Sequence, residues 1–326
     1  MEMPLAYRIA SISPVGDADM SPLVAEQRAK ILGIPKLCFS NIAEFYAAHD
    51  RQFWRLKEDI PNWAPPFEEF FAEWDHPVAA KWNVPEPVTS NIAYQHGFYC
   101  RTIPSSERLF FSQALKVLPS MTHMDGSQVL RLDSCSKILL DSEQAKWVLA
   151  CSAWGSCSQK PSCGRPIFHG VNSALFISST GKLVEFMVWG AKPILHVSHS
   201  DLEGYWKCLH HILGLGLSFC HCKNVTVTEQ AQDRGERWHR RTKTPILKFH
   251  TLNIDPMKKI IRREGQSDQV GLAKALHICR GHFATYTPEH PLFGKYVGTY
   301  WRPDHVRGSI QAGAVVSDYN VNPATE

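Results

Sequence analysis

Residues 174–189, ALFISSTGKLVEFMVW, decide the fold class of this 326-residue chain. Two apolar runs rich in β-branched and aromatic residues flank Ser179, Thr180 and Gly181, which are residue types typical of a turn. The pattern predicts a β-hairpin that turns at these three residues. Because consecutive hairpin strands run antiparallel, we expect the sheet that contains them to be largely antiparallel.

Strand-like runs continue on both sides of this hairpin, whereas the N-terminal part has a helical pattern. Apolar residues at helical spacing predict helices between residues 22 and 49, with Ser40 as an N-cap, and another helix from Asp201. Strands are predicted at 128–132, 147–154, 246–254, and in two runs within 275–309. We therefore predict an α+β fold with N-terminal helices, a largely antiparallel sheet and a basic, β-rich C-terminal part.

Length and charge indicate one or two domains. A domain usually has about 100–200 residues, and 44% hydrophobic with 20% charged residues is a globular composition. The formal net charge of +4 divides into −5 over residues 1–95, +3 over 96–230 and +6 over 231–326. The charge shift predicts domains at 1–230 and 231–326, with a single continuous domain as the alternative.

The basic end of the chain points to a polyanionic partner such as nucleic acid, and a solvated charged surface is the alternative. No signal-peptide pattern and no run of about 18 apolar residues is present, so we expect no membrane association and a cytoplasmic location. In that compartment the ten cysteines are expected to be reduced thiols.

The densest cluster of catalytic residue types lies near the C-terminus: His277, Arg280, His282, His305 and Arg307. Metal-free cleavage of a ribose phosphodiester needs a base for the 2′-hydroxyl, an acid for the leaving oxygen and a cation for the phosphate. A hairpin would bring the second half of this cluster alongside the first half. The structural alternative is that these side chains only bond loop carbonyls while the aromatic residues pack.

The C-terminal motif also carries a resemblance. His277-x-x-Arg280-Gly-His282, followed by Tyr300-Trp301 and then Arg307-Gly, resembles a pattern in uncharacterised proteins of bacteriophages and mobile elements. Residues 65–74, PPFEEFFAEW, form a second, weaker part of the same resemblance. It implies a phage or mobile-element origin, and hence a bacterial host cell as the location, but no particular activity.

A second basic region lies at residues 231–245, whose polar composition predicts an exposed loop. Basic side chains attract phosphates, and an interleaved aromatic can stack on an unpaired base for ~1–3 kcal/mol. A solvated charged loop is the alternative. The nucleic-acid-binding residues that we predict are Arg237, Trp238, Arg240, Arg241, Lys243, Lys248, Trp301 and Arg302.

Metal and cofactor signals are weak. If Cys220-His221-Cys222 forms a strand, Cys220 and Cys222 share one face and could bind zinc, although the spacing is not that of a usual zinc site. No other cofactor is expected. The absence of G-x-x-x-x-G-K-[ST], G-x-S-x-G and H-E-x-x-H motifs argues against ATP-driven, serine-hydrolase and zincin chemistry.

Two classes of function remain open. One is a metal-independent RNA phosphodiesterase, in which His282 and either His277 or His305 act as acid and base while Arg280 and Arg307 hold the phosphate. The other is a non-enzymatic factor that binds nucleic acid or protein. The expected partner is nucleic acid, RNA rather than DNA, and a protein partner is the alternative.

Overall fold

A computed structural model describes residues 4–10, 22–48, 59–75, 95–117, 138, 140–141, 143–156, 166–190, 199–242, 244–254, 275–279, 282–302, 305–307 and 309–314. The helices with described bounds are α1 (Leu5–Ala10), α2 (Pro22–Gly33), α3 (Ser40–Ala48), α4 (Arg108–Val117), α5 (His199–Cys220) and α6 (Glu236–Thr242). The strands are β1 (Lys36–Cys38), β2 (Glu69–Asp75), β3 (Gln95–Thr102), β4 (Trp147–Ser156), β5 (Pro166–Ile177), β6 (Leu183–Gly190), β7 (Val225–Gln232), β8 (Leu247–Ile254), β9 (Ala275–Cys279), β10 (His282–Tyr286), β11 (Gly298–Arg302), β12 (His305–Arg307) and β13 (Ser309–Ala314).

The chain forms two compact units. The first unit consists of residues 1–221 and 227–253, and the second of residues 222–226 and 254–326. The sequence predicted a division at residue 230, but β8 pairs with β1 in the large sheet. The basic region at 231–245 therefore belongs to the first unit rather than to a C-terminal part.

The first unit is built on an eight-stranded sheet with the order β6-β5-β4-β3-β2-β1-β8-β7. Strands β2 to β6 form consecutive antiparallel pairs, whereas β1 runs parallel to both β2 and β8. The predicted α+β class with a largely antiparallel sheet is confirmed. The predicted turn is also present, because Gly181 N donates to Ser178 O at 2.9 Å between β5 and β6.

Side chains alternate between the two faces of this sheet and form a core on each. On one face, Phe71, Tyr99 and Trp154 pack with residues of α1 in a buried cluster. On the other face, the Phe98 ring lies 5.2 Å from the ring of His210 on α5. His210 Nε2 lies 2.9 Å from Ser173 Oγ, so this buried imidazole has a partner within the core.

The glycine-rich run GLGLS at 214–218 serves helix packing. A Cβ atom at Gly214 would lie 2.3 Å from the Trp63 ring, and one at Gly216 would lie 2.4 Å from the Phe39 ring. Because real Cβ contacts are not that short, only glycine lets the helix backbone approach these two aromatic rings so closely. The run lies inside α5, so its residues form part of the core of the first unit.

Two buried ionisable side chains, Glu73 and Lys36, bond the first turn of α1 and the end of α2. Ala6 N, in the first turn of α1, donates to Glu73 Oε2 at 2.7 Å, and Lys36 Nζ donates to the carbonyl of Ile34 at 2.6 Å. Burial raises the pKa of Glu73 to about 8, against the opposing influence of Lys36. Burial likewise lowers the pKa of Lys36 to about 8.

The second unit contains two small sheets. Strands β10 and β11 form an antiparallel pair, and β9 lies between β12 and β13 in a three-stranded sheet.

The predicted helices over 22–49 are confirmed as α2 and α3, and α5 covers the one predicted from Asp201. The predicted strand at 128–132 lies outside the described residues. No described helix is long and apolar enough to cross a membrane.

Candidate functional site

The β10–β11 hairpin of the second unit brings the strongest combination of functional side chains together. Its register pairs His282 with Arg302 and Tyr286 with Gly298. Because residues alternate between faces, one face receives every second residue of both strands. We call this surface the hairpin face and define it by His282, Tyr286, Tyr300 and Arg302.

Cation and aromatic rings are in contact on the hairpin face. The Arg302 guanidinium carbon lies 5.3 Å from the centroid of the Tyr286 ring. The Tyr286 ring meets the ring of Tyr300, which is 6% exposed, edge to face at 6.0 Å. His282, directly opposite Arg302, is exposed. The face can therefore offer a charged, planar donor and an imidazole to the same ligand.

The opposite side of the hairpin carries a buried aromatic contact and an exposed pair of threonines. The Trp301 ring meets Phe283 edge to face at 4.9 Å, and Thr285 Oγ1 lies 3.0 Å from Thr299 Oγ1. Trp301 is 2% exposed. This burial disagrees with the prediction that Trp301 stacks on a base, because its ring already packs within the protein.

Residues 223–224 hold the other edge of β11. Lys223 N donates to Thr299 O at 2.9 Å, while Asn224 Nδ2 donates to Trp301 O and Trp301 N donates to Asn224 Oδ1, both at 2.9 Å. The Asn224 side chain thus satisfies both backbone groups of Trp301, as a neighbouring strand would.

This edge adds a cation that the sequence analysis missed. A Cβ atom at Gly298 would lie 3.1 Å from Cγ and Cε of Lys223, so the lysine stem covers Gly298, opposite Tyr286. Gly298 has a φ of +125°, which other residues rarely adopt. In the sequence, a glycine within a strand pattern indicates that another part of the chain approaches closely. It does not indicate that Lys223 is the residue that does so.

The other predicted catalytic residues lie elsewhere in the second unit. Strands β9 and β12 pair His277 with Arg307, and Cys279 with His305. His282 pairs with Arg302 in a different sheet, so the hairpin does not align His282 with His305 or Arg307 as the sequence analysis expected. Arg280 lies outside the described residues.

The basic region at 231–245 contains a helix where a loop was predicted. In α6 the Trp238 ring meets the Tyr7 ring edge to face at 5.2 Å and packs against the buried cluster around α1. Trp238 is therefore engaged at the edge of the core instead of being free to stack on a base. His239 Nδ1 lies 2.7 Å from Thr244 O, and this contact ties α6 to the segment that follows it.

The cations of this region are partly neutralised. Arg240 pairs with Glu236 at 2.9 Å, and Lys248 pairs with Glu229 at 2.8 Å. Arg237 and Arg241 are exposed on α6, and Lys243 lies outside the described residues. Both ion pairs are exposed to solvent, where such pairs are weak.

The structure does not form the expected Cys-His-Cys strand, because α5 continues to Cys220. Cys222 is buried, and burial raises the pKa of its thiol to about 12. Within the described part of the chain, no three His, Cys, Asp or Glu side chains come together as metal ligands.

The chain matches no protein-family model, no curated protein and no solved structure. The likeness of the C-terminal motif to proteins of bacteriophages and mobile elements therefore stays a prediction.

Proposed function

We propose that the second unit binds single-stranded nucleic acid, RNA in preference to DNA, through the hairpin face. The observation that carries this proposal is the Arg302 guanidinium, which lies over the Tyr286 ring and directly opposite the exposed His282. Guanidinium groups form paired hydrogen bonds to phosphate oxygens, and surfaces that track single strands combine such cations with aromatic rings.

The charge of the second unit favours a phosphate ligand. Residues 222–226 and 254–326 contain ten basic and seven acidic side chains, a formal net charge of +3. Because an extended backbone carries one negative charge per nucleotide, it can meet several of these cations at once. The preference for RNA follows from His282, since an imidazole beside a phosphate-binding arginine can accept a hydrogen bond from a ribose 2′-hydroxyl.

Cleavage of RNA is the second candidate, and the exposed position of His282 favours it. An imidazole opposite Arg302 supplies a proton acceptor beside a cation that stabilises charge on phosphate. The described part of the hairpin face carries one imidazole, so the proton for the leaving oxygen would come from another group. Binding is therefore the primary proposal, and cleavage is measured with it.

The test is incubation of the chelator-treated protein with labelled single-stranded RNA and DNA across a salt series, with binding and cleavage followed together. We expect RNA affinity to fall linearly with the logarithm of salt concentration, by a slope of about −0.7 for each phosphate contact. His282→Ala should abolish any cleavage. The matched control is His290→Ala, an exposed histidine in the connection between β10 and β11.

Absence of binding to either nucleic acid at low salt would overturn the proposal and leave a protein partner as the working hypothesis. Equal effects of His282→Ala and His290→Ala would contradict a specific role of the hairpin face. Cleavage that survives in His282→Ala would remove this histidine from the mechanism.

A further inference from the structure

The connection between β10 and β11 presents an aromatic ring to solvent. Phe293, which lies within it, is 52% exposed. It is also the one non-glycine residue in the described part of the chain with a positive φ, +53°. A bulky side chain in this left-handed conformation is strained, so the surrounding structure must hold it there.

Hydrogen bonds around Phe293 fix that conformation. Leu292 N donates to Tyr296 O at 2.8 Å, Tyr296 N donates to Leu292 O at 2.9 Å, and Gly294 N donates to Pro291 O at 3.2 Å. Leu292 is buried at 7% exposure and anchors the base of the turn. The Phe293 ring is therefore presented by a closed turn, and little conformational entropy is lost when a ligand contacts it.

The surroundings of the ring favour a ligand that is both planar and anionic. Lys295 Nζ lies 5.3 Å from the Tyr296 ring, two residues along the chain from Phe293. The neighbouring Val297 is 43% exposed, so the apolar surface here is small. One exposed ring in a turn that also carries a lysine suits one flat base attached to a phosphate backbone better than the broad apolar patch of a protein partner.

We infer that Phe293 is a stacking platform for an unpaired base of the strand that the second unit binds. This inference rests on the proposed function, because the hairpin face supplies the phosphate contacts. It adds a source of selectivity, since a base within a duplex is already stacked on both sides and is not free to cover the ring. The inferred ligand is therefore single-stranded and not double-stranded nucleic acid.

The test compares variants in binding to a short single-stranded RNA and to a duplex of the same length. Phe293→Asn removes the ring but suits the left-handed backbone, because asparagine tolerates this conformation. We expect it to weaken single-strand binding about tenfold, to leave duplex binding unchanged, and to preserve the salt slope because no charge is lost. Phe293→Tyr should retain affinity, and Val297→Ala is the matched control for loss of exposed apolar surface in the same turn.

A second readout reports stacking directly. Fluorescence of 2-aminopurine in the single strand should be quenched by the wild-type protein and by Phe293→Tyr, and restored by Phe293→Asn. If the wild-type protein binds RNA but Phe293→Asn keeps both affinity and quenching, the stacking inference fails while the proposed function stands. Equal loss of single-strand and duplex binding would also overturn it. If the wild-type protein binds no RNA at low salt, the proposed function fails first.

Discussion

Helix α6 and the β10–β11 hairpin both combine arginine with aromatic residues, yet these side chains make different contacts in the two regions. In α6, Trp238 packs against Tyr7 and Arg240 pairs with Glu236. In the hairpin, Arg302 lies over Tyr286, and the connecting turn presents Phe293 to solvent. The comparison shows that composition alone does not define a binding surface. The two regions differ in exposure: Trp238 is half-buried against the core, whereas His282 and Phe293 are exposed.

The largest expected effect concerns Glu73, a buried carboxyl of the first unit. Its pKa is raised in the folded protein, so the folded state loses stability as pH rises from 4.5 to about 8, because the carboxyl ionises in the unfolded chain while it stays protonated in the folded one. Glu73→Gln cannot ionise. We expect the difference in unfolding free energy between variant and wild type to change by a few kcal/mol across this window, in favour of the variant at the higher pH.

Urea unfolding at both ends of the window measures this effect. Lys36 contributes in the opposite sense at higher pH: stability falls as pH falls from 10.5 to about 8, because the amine is protonated in the unfolded chain while it stays neutral in the folded one. A wild-type protein and a Glu73→Gln variant with the same pH dependence between pH 4.5 and 8 would contradict a buried, titrating Glu73.

Trp238 tests whether α6 belongs to the core. Trp238→Ala removes the edge-to-face contact with Tyr7 and part of the cluster around α1. We expect a loss of about 2 kcal/mol in unfolding free energy, below the ~3–5 kcal/mol of a fully buried tryptophan because Trp238 is half-buried. RNA affinity should not change. Arg237→Ala, an exposed neighbour on the same helix, is the control and should stay within about 0.5 kcal/mol.

Asn224 tests how firmly the edge of the hairpin is held. Asn224→Ala leaves the N–H and carbonyl of Trp301 without this partner, at a cost of about 1–2 kcal/mol. Hydrogen exchange should show faster exchange of the Trp301 amide, with the amides of β4 and β5 unchanged. Uniformly faster exchange across both units would show instead that Asn224 stabilises the whole chain.

Local patterns in the sequence predicted the fold better than they predicted the site. The β5–β6 hairpin and the helix Ser40–Ala48 follow from turn residues, an N-cap and apolar spacing, all of which act over short distances. Cys220 was expected in a strand but ends α5, because short apolar runs fit both periodicities.

Contacts between distant parts of the chain account for what could not be predicted. Trp238 meets Tyr7 near the N-terminus, and Asn224 bonds Trp301 across 77 residues. No local sequence pattern contains such pairs. The packing of Trp238 against the core and the contact of Lys223 with Gly298 could therefore not be predicted. The pairing of His282 with Arg302 is easier to predict from sequence, because both residues lie in one hairpin.

We propose that the hairpin face, and not α6, contacts the phosphate backbone. The most direct measurement is the salt dependence of single-stranded RNA binding for the wild type, Arg302→Gln and the matched control Arg240→Gln. We predict that Arg302→Gln weakens binding about tenfold and flattens the slope by about 0.7, while Arg240→Gln leaves both unchanged. A flattened slope in Arg240→Gln together with an unchanged slope in Arg302→Gln would contradict the claim and assign the binding surface to α6.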